Sequence, residues 1–331
     1  MNKRATIKDV AKLAETSVSV VSYVLNETPG KSISDATKER ILSAAKKLNY
    51  VPNIAARSLR TGSGNTIAFF AFWEKEDGSY NKFLAGLTHS AAKKGYNILL
   101  CDNANLTKKR LPLLQQQLNV SGIIVLSAGN PYFEYSNSTE ETIVEALRSI
   151  SVPTLLINSE NNYQDKGIDS LYFGFFEAAF SATEHLIKNG CKNIAYIKDN
   201  ISSVSETDRL KGFLSALNKH GLCENNIVKV DEINKLFKAE LPDGVVTNKS
   251  DAGHLFLKAA KKKGVLIPKQ IKVIAANNEP FAEYLEPSLT TVMLPLSELG
   301  KTAAYKIINK VENSNYQLPT LEYKVIERKS V

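Results

Sequence analysis

The chain has 331 residues, 43% hydrophobic and 23% charged, enough for two or three self-sufficient cores and ordinary for a globular protein. No apolar run approaches the roughly 18 to 20 residues that span a bilayer, and Met1 to Thr6 lead into an amphipathic segment without a secretory pattern, so a cytoplasmic chain with no membrane partner is expected. Of the net charge of +8, residues 1 to 64 carry +6, from eleven Lys/Arg against five Asp/Glu, and the other 267 residues only +2, so a basic head on a near-neutral body marks a polyanion binder.

Thr6 is placed to cap a first helix whose Ile7, Val10, Ala11 and Ala14 form one apolar stripe ending at Glu15 and Thr16. After a few residues Ser17 caps a second short helix, with Val21, Val24 and Leu25 inward and Val18, Ser19, Ser22 and Tyr23 toward the open side. That spacing is a helix-turn-helix. Beyond Pro29 and Gly30, Ser34 caps a third helix with Thr37, Ile41, Ala44, Ala45 and Leu48 on one face, stopping before Tyr50 and Pro52. Asn53 to Leu59 could be helical but are too few to hold a helix alone in water, and Thr61 to Asn65 read as a flexible joint. The expected organisation is a helix-turn-helix DNA-binding domain over 1–51, a short helical stretch and linker over 52–65, and a separate body over 66–331.

From Thr66 the pattern changes. Short apolar runs at 67–73, 97–101, 122–126, 154–157, 193–197, 244–247 and 272–276 read as buried strands, and 321–327 as a last strand-like segment. Helical stretches lie near 82–94, 107–118, 139–149, 177–189, 206–220 and 251–263. The alternation implies α/β architecture, with parallel sheets, right-handed crossovers and enough strands for two doubly wound lobes behind the all-α head.

Cys101, Cys191 and Cys223 are too widely spaced for a disulfide framework or a Cys-x-x-Cys site. His89, His185, His220 and His254 stand outside any metal-ligand spacing. With no Gly-x-Ser-x-Gly elbow either, the expectation is no enzyme, no cofactor and no metal. A soluble solute-binding receptor would account for the body but not for the head.

Three stretches of the N-terminal part, Thr6-Ile-Lys-Asp-Val-Ala-Lys-Leu-Ala14, Val21-Ser-Tyr-Val-Leu-Asn26 and Tyr50-Val-Pro-Asn-Ile-Ala-Ala-Arg-Ser-Leu-Arg60, resemble the signature of the lactose-repressor/galactose-repressor (LacI/GalR) family. Ala182-Thr-Glu-His-Leu186, Arg209-Leu-Lys-Gly-Phe213 and Leu289-Thr-Thr-Val292 follow in the family's order along the body. The resemblance implies a homodimeric transcription repressor on a pseudo-palindromic double-stranded DNA operator, with a periplasmic-binding-protein-like body controlled by a small-molecule effector, a sugar or sugar derivative. A regulator answering to a protein partner is a variant of the same reading.

By that resemblance, Thr6, Ser17, Val18, Ser19, Ser22, Tyr23 and Asn26 face DNA, Val18, Ser19 and Tyr23 at base edges in the major groove. Asn53, Ala56, Arg57 and Leu59 belong to the hinge, Leu59 as a minor-groove wedge. Tyr23 stands where the family usually has an arginine, which replaces a two-bond guanine fork with one hydroxyl and a flat face. Glu15 stands at a turn where the family commonly has glycine; the sequence leaves open whether φ is positive there.

The effector candidates implied at strand ends are Ser79, Tyr80, Asn158, Phe173, Arg209, Lys249 and Asn277. Arg209 follows the family pattern. Asn158 and Asn277 replace aspartates of the sugar-binding members, and Lys249-Ser250 replaces an Asn-Asp pair, so the expected pocket loses acid, gains a cation, and suits an acidic sugar derivative.

Overall fold

A computed structural model describes residues 5–25, 30–50, 64–71, 79–126, 139–159, 161–200, 202–223, 226–238 and 240–331. The chain divides into two compact units, Met1–Gly64 and Asn65–Val331.

In the first unit, α1 (Ile7–Leu13) opens with a capping box in which the Thr6 hydroxyl accepts the Asp9 N–H while the Asp9 carboxylate accepts the Thr6 N–H at 2.8 Å. The second helix, α2 (Val18–Leu25), is capped by Ser17, whose Oγ accepts the Val20 N–H at 3.3 Å, and Ser34 caps α3 (Asp35–Lys47) through Thr37 N–H. Val10, Val21 and Ile41 are fully buried and, with Ala11, Ala14, Ala44 and Ala45, form the core of these helices. Glu15, in the α1–α2 turn, has φ of 49°, so the turn does take the left-handed conformation. An L side chain there costs on the order of 1 kcal/mol relative to glycine.

The second unit holds two sheets. The first lobe is a parallel sheet of β1 (Thr66–Ala71), β2 (Asn97–Cys101), β3 (Gly122–Leu126), β4 (Thr154–Ile157) and β5 (Asp169–Leu171), in the order β2-β1-β3-β4-β5. Its helices are α4 (Ser79–Lys93), α5 (Leu111–Leu118) and α6 (Glu140–Leu147). Ile67, Phe69, Ile124 and Leu155 bury one face of the sheet, and Ala68, Phe70, Ile123 and Leu156 bury the other against Leu111, Ile143 and Leu147 of α5 and α6. The apolar runs are continuous because both faces are covered.

The second lobe begins with α7 (Phe175–Lys188), β6 (Ile194–Lys198), α8 (Val204–Lys219) and the short β7 (Ile227–Lys229). After a 3₁₀ turn it continues with β8 (Gly244–Thr247), α9 (Ser250–Lys262), β9 (Lys272–Ala275) and β10 (Thr290–Met293). The chain then returns to the first lobe as α10 (Leu296–Glu312) and comes back as β11 (Lys324–Ile326), which closes the order β11-β10-β9-β8-β6-β7 antiparallel to β10. It therefore crosses between lobes three times, at 172–174, 294–295 and 313–323. Tyr323 on the third crossing donates its hydroxyl to the Phe173 carbonyl on the first, at 3.2 Å.

Expected strands and helices are present at each body position named from the sequence, while β5, β7, β10 and α10 were not anticipated. The strands among them are only three or four residues long, too short for an alternation to register. The missed helix had a readable signal: Leu296, Leu299, Gly300, Ala303, Ala304, Ile307 and Ile308 share one buried face at helical spacing. Among the described residues no helix is long and apolar enough to cross a membrane.

Candidate functional site

The head presents its open side as expected, with one correction. Thr6, Ser17, Val18 and Ser19 are exposed and Tyr23 is half-buried, with the Lys31 ammonium 5.3 Å from its ring centre. Ser22, expected on that side, is only 5% exposed. It lies directly beside Val21, which is fully buried, and a hydroxymethyl group is small enough to be carried into the helix packing. Asn26, Asn53, Ala56, Arg57 and Leu59 lie outside the described residues, as does the hinge reading built on 52–63.

In the body, four of the effector candidates, Tyr80, Asn158, Phe173 and Arg209, lie together at the first crossing between the lobes. Asn158 follows β4 with φ of 55°, a left-handed conformation that Asn tolerates better than most residues. Its N–H donates to the Leu171 carbonyl at 2.9 Å and its Oδ1 accepts the Phe173 N–H at 2.8 Å, so the amide ties the end of β4 to the first crossing. Phe173 is 1% exposed and begins a ladder of rings: its centroid lies 6.3 Å from Tyr80 at the start of α4 and 5.9 Å from Phe175 at the start of α7. The Arg209 guanidinium lies 4.2 Å from the Phe175 ring centre. Tyr80, Phe173 and Arg209 are thus joined through Phe175, which the sequence reading did not single out. Ser79 opens α4, and its side chain is outside the described residues.

Arg209 is 4% exposed. Nη1 donates to the Ser205 carbonyl at 3.3 Å, Nε has no hydrogen-bond partner, and no carboxylate among the described residues pairs with the group. One turn earlier on α8 lies Glu206, 6% exposed. Among the described residues these are the buried charges, three positions apart on one helix, and they form no ion pair with each other. Glu206 is instead fully engaged: it accepts the Tyr196 hydroxyl at 2.8 Å, the Asn248 Nδ2 at 2.6 Å and the Asp199 N–H at 3.3 Å. Burial, and then the neighbouring Glu206 charge, push the Tyr196 phenol well above its ordinary pKa, so it stays a donor. Neither Glu206 nor Asn248 was anticipated; a Glu at the first turn of a helix reads from sequence as a capping residue, and nothing in the spacing says that β6 and β8 end beside it.

Lys249 and Asn277 depart from expectation. The Lys249 side chain is 41% exposed and its Nζ stands 3.8 Å from Asp199 Oδ2, so the cation expected to be available to a ligand is solvated and already paired. Acid also stands beside Lys249, with Asp199 directly after β6 and its N–H bonded to Glu206 of α8. Asn277 is 7% exposed and spends its Oδ1 on Ser250, accepting the backbone N–H at 2.7 Å and the hydroxyl at 3.1 Å; it supplies the N-terminal cap that α9 otherwise lacks. Between the lobes here is a cavity of about 30 Å³ with Lys82 of the first lobe across from Asn277, Asn278 and Glu279 of the second.

Compared with known proteins, residues 6–53 match the model of the bacterial regulatory proteins of the lacI family, and residues 183–331 match that of a periplasmic binding protein-like domain. The chain thus carries a helix-turn-helix domain of the lacI family at its N-terminus and a periplasmic-binding-protein-like domain behind it. Similar curated relatives include the HTH-type transcriptional repressor PurR of Vibrio atlanticus, 27% identical over 346 residues that cover 99% of this chain and 98% of the relative. PurR of Photobacterium profundum is 29% identical over 349 residues, with the same coverage. Among solved structures, the lac repressor dimer bound to operator and the anti-inducer ONPF superimposes with a TM-score of 0.76 at 20% identity, over 99% of both chains. A CelR–cellobiose complex gives 0.64 at 22% identity over 99% of this chain and 100% of that one. The chain therefore joins a DNA-binding head of lacI type to a body of periplasmic-binding-protein fold.

Proposed function

We infer that this chain is a cytoplasmic, homodimeric repressor of the lacI family whose hold on a pseudo-palindromic operator is set by a small molecule bound where Arg209 faces the lobe junction. The observation that carries the ligand reading is the buried Arg209 guanidinium with no ion pair and an unpartnered Nε. Asn158 adds a second buried donor without a partner, its Nδ2. Both wait for acceptors, and a cation left unpaired in a protein interior is costly, so the ligand brings a carboxylate or phosphate. This keeps an acidic sugar derivative as the first class to try but moves its anchor from Lys249 to Arg209. The ladder of Tyr80, Phe173 and Phe175 also favours a planar face, which makes anionic heterocycles the second class.

The named relatives are repressors, which supports the direction of control. Pairing of two copies is supported by exposed aromatic surface at Phe281 and Tyr284, 36% and 80% exposed. The test is calorimetry on the full chain with neutral sugars, sugar phosphates, uronates and nucleotides, alongside operator retardation using DNA upstream of the gene. The expected result is one anionic ligand whose affinity collapses in Arg209→Gln and which shifts operator binding. A neutral ligand indifferent to Arg209 overturns the anchor, and no ligand of either class points to a protein partner. For the hinge, Leu59→Ala should weaken operator binding and leave the dimer intact.

A further inference from the structure

A second place in the body has the features of a ligand site, on the first lobe and away from the ring ladder. Helices α4 and α10 cross with their backbones touching: a Cβ on Gly86 would lie 2.0 Å from the Ser297 carbonyl oxygen, and one on Gly300 would lie 2.1 Å from that of Phe83. Helices that touch at one point and cross at an angle diverge away from it. Along this pair is a cavity of about 490 Å³, within the range of small-molecule pockets.

The lining is polar and cationic. Ser90 is 5% exposed, and its side chain makes no hydrogen bond among the described residues. Lys93 comes from the last turn of α4 and Lys301 from α10; neither pairs with a carboxylate among the described residues, and Lys301 rests 5.5 Å from the Tyr305 ring centre. His89 lines the same cavity, and Glu298 is the carboxylate among the lining residues.

We propose that this cavity is a second ligand site that takes the phosphoryl group of a small molecule, with Lys93 and Lys301 pairing its charge and Ser90 donating a hydrogen bond. Two ammonium groups on facing helices suit a phosphoryl group, because each acts as a compact charge and the paired bonds are charge-assisted. The site is also placed to matter. Its first wall, α4, carries Tyr80 of the ring ladder in its first turn, and its second, α10, emerges directly from the second crossing between lobes. An anion drawing Lys93 and Lys301 together acts on both elements at once.

The experiment is calorimetry of inorganic pyrophosphate on the full chain, with thermal melting of each ligand-free variant as the folding control. Saturable binding to the wild type is expected, weakened about tenfold or more in Lys93→Gln/Lys301→Gln and unchanged in Arg209→Gln. Lys301→Arg, which keeps the charge, should retain binding, and Ser90→Ala should weaken it without lowering the melting temperature. Binding lost in Arg209→Gln but kept in the double lysine variant assigns the anion to the lobe junction and overturns the proposal. Equal binding by all variants, an adventitious ion only, overturns it too, as does no binding by the wild type.

Discussion

The first lobe meets the junction with the rings of Tyr80 and Phe173 and an amide at Asn158, whereas the second meets it with Glu206, Arg209, Asp199 and Lys249. Both lobes are wound the same way, with parallel strands, save β11 at the edge of the second sheet, and one pair of helices in backbone contact. The difference is therefore in what the strand ends carry: rings and an amide on one side, charge on the other. The charged side also bears the larger energetic burden, since a buried ion needs partners and a buried ring does not.

The likeness in winding can be broken first, and hardest. Gly300→Ala in the first lobe would drive a Cβ to 2.1 Å from the Phe83 carbonyl oxygen, and Gly212→Ala in the second would drive one to 2.2 Å from that of Phe176. Neither helix pair can yield without moving backbone, so each variant should lose about 3 kcal/mol or more. Chemical denaturation should show the two losses to be alike; a loss under 1 kcal/mol in only one would mean that the lobes differ in packing after all.

The charge network of the second lobe is the next target. Tyr196→Phe removes one of three donors from Glu206 while keeping the ring against Phe213, at a centroid distance of 5.0 Å. A cost of about 1 to 3 kcal/mol is expected in urea unfolding. The loss should shrink in a Glu206→Gln background, and an unchanged loss there would place the role of Tyr196 in packing alone.

Arg209 should behave in the opposite sense. With no ion pair in the ligand-free chain, Arg209→Met should leave ligand-free stability unchanged or raise it by up to about 1 kcal/mol, while abolishing the effector response. Thermal melting and operator retardation measure the two separately. A marked fall in melting temperature would mean that the guanidinium is satisfied in the ligand-free protein. The smallest effect is expected at Lys249: its half-exposed pair with Asp199, at 3.8 Å, supports less than about 1 kcal/mol, so Lys249→Ala should barely change stability, and added salt should erase the difference.

Much of this protein was determined by the sequence alone, because the signals concerned are local. Caps at Thr6, Ser17 and Ser34, the stripe of Val10, Val21 and Ile41, and the basic excess before Gly64 depend on neighbours a few residues away, and they identified the head. Alternating apolar runs gave the two-lobed body for the same reason, and the positions of Arg209 and Phe173 followed from the motifs. Tertiary structure decided the rest. Whether Ser22 faced out or in depended on how α2 packs, and the sign of φ at Glu15 on how the turn closes. That Asn277 caps α9, that Lys249 is matched by Asp199, and that Glu206 gathers Tyr196, Asn248 and the Asp199 backbone all rest on residues that β6, β8 and β9 bring side by side from distances of 7 to 50 positions along the chain. The charge of a side chain can be read from its letter; whether that charge is free for a ligand is set by which strand ends lie beside it.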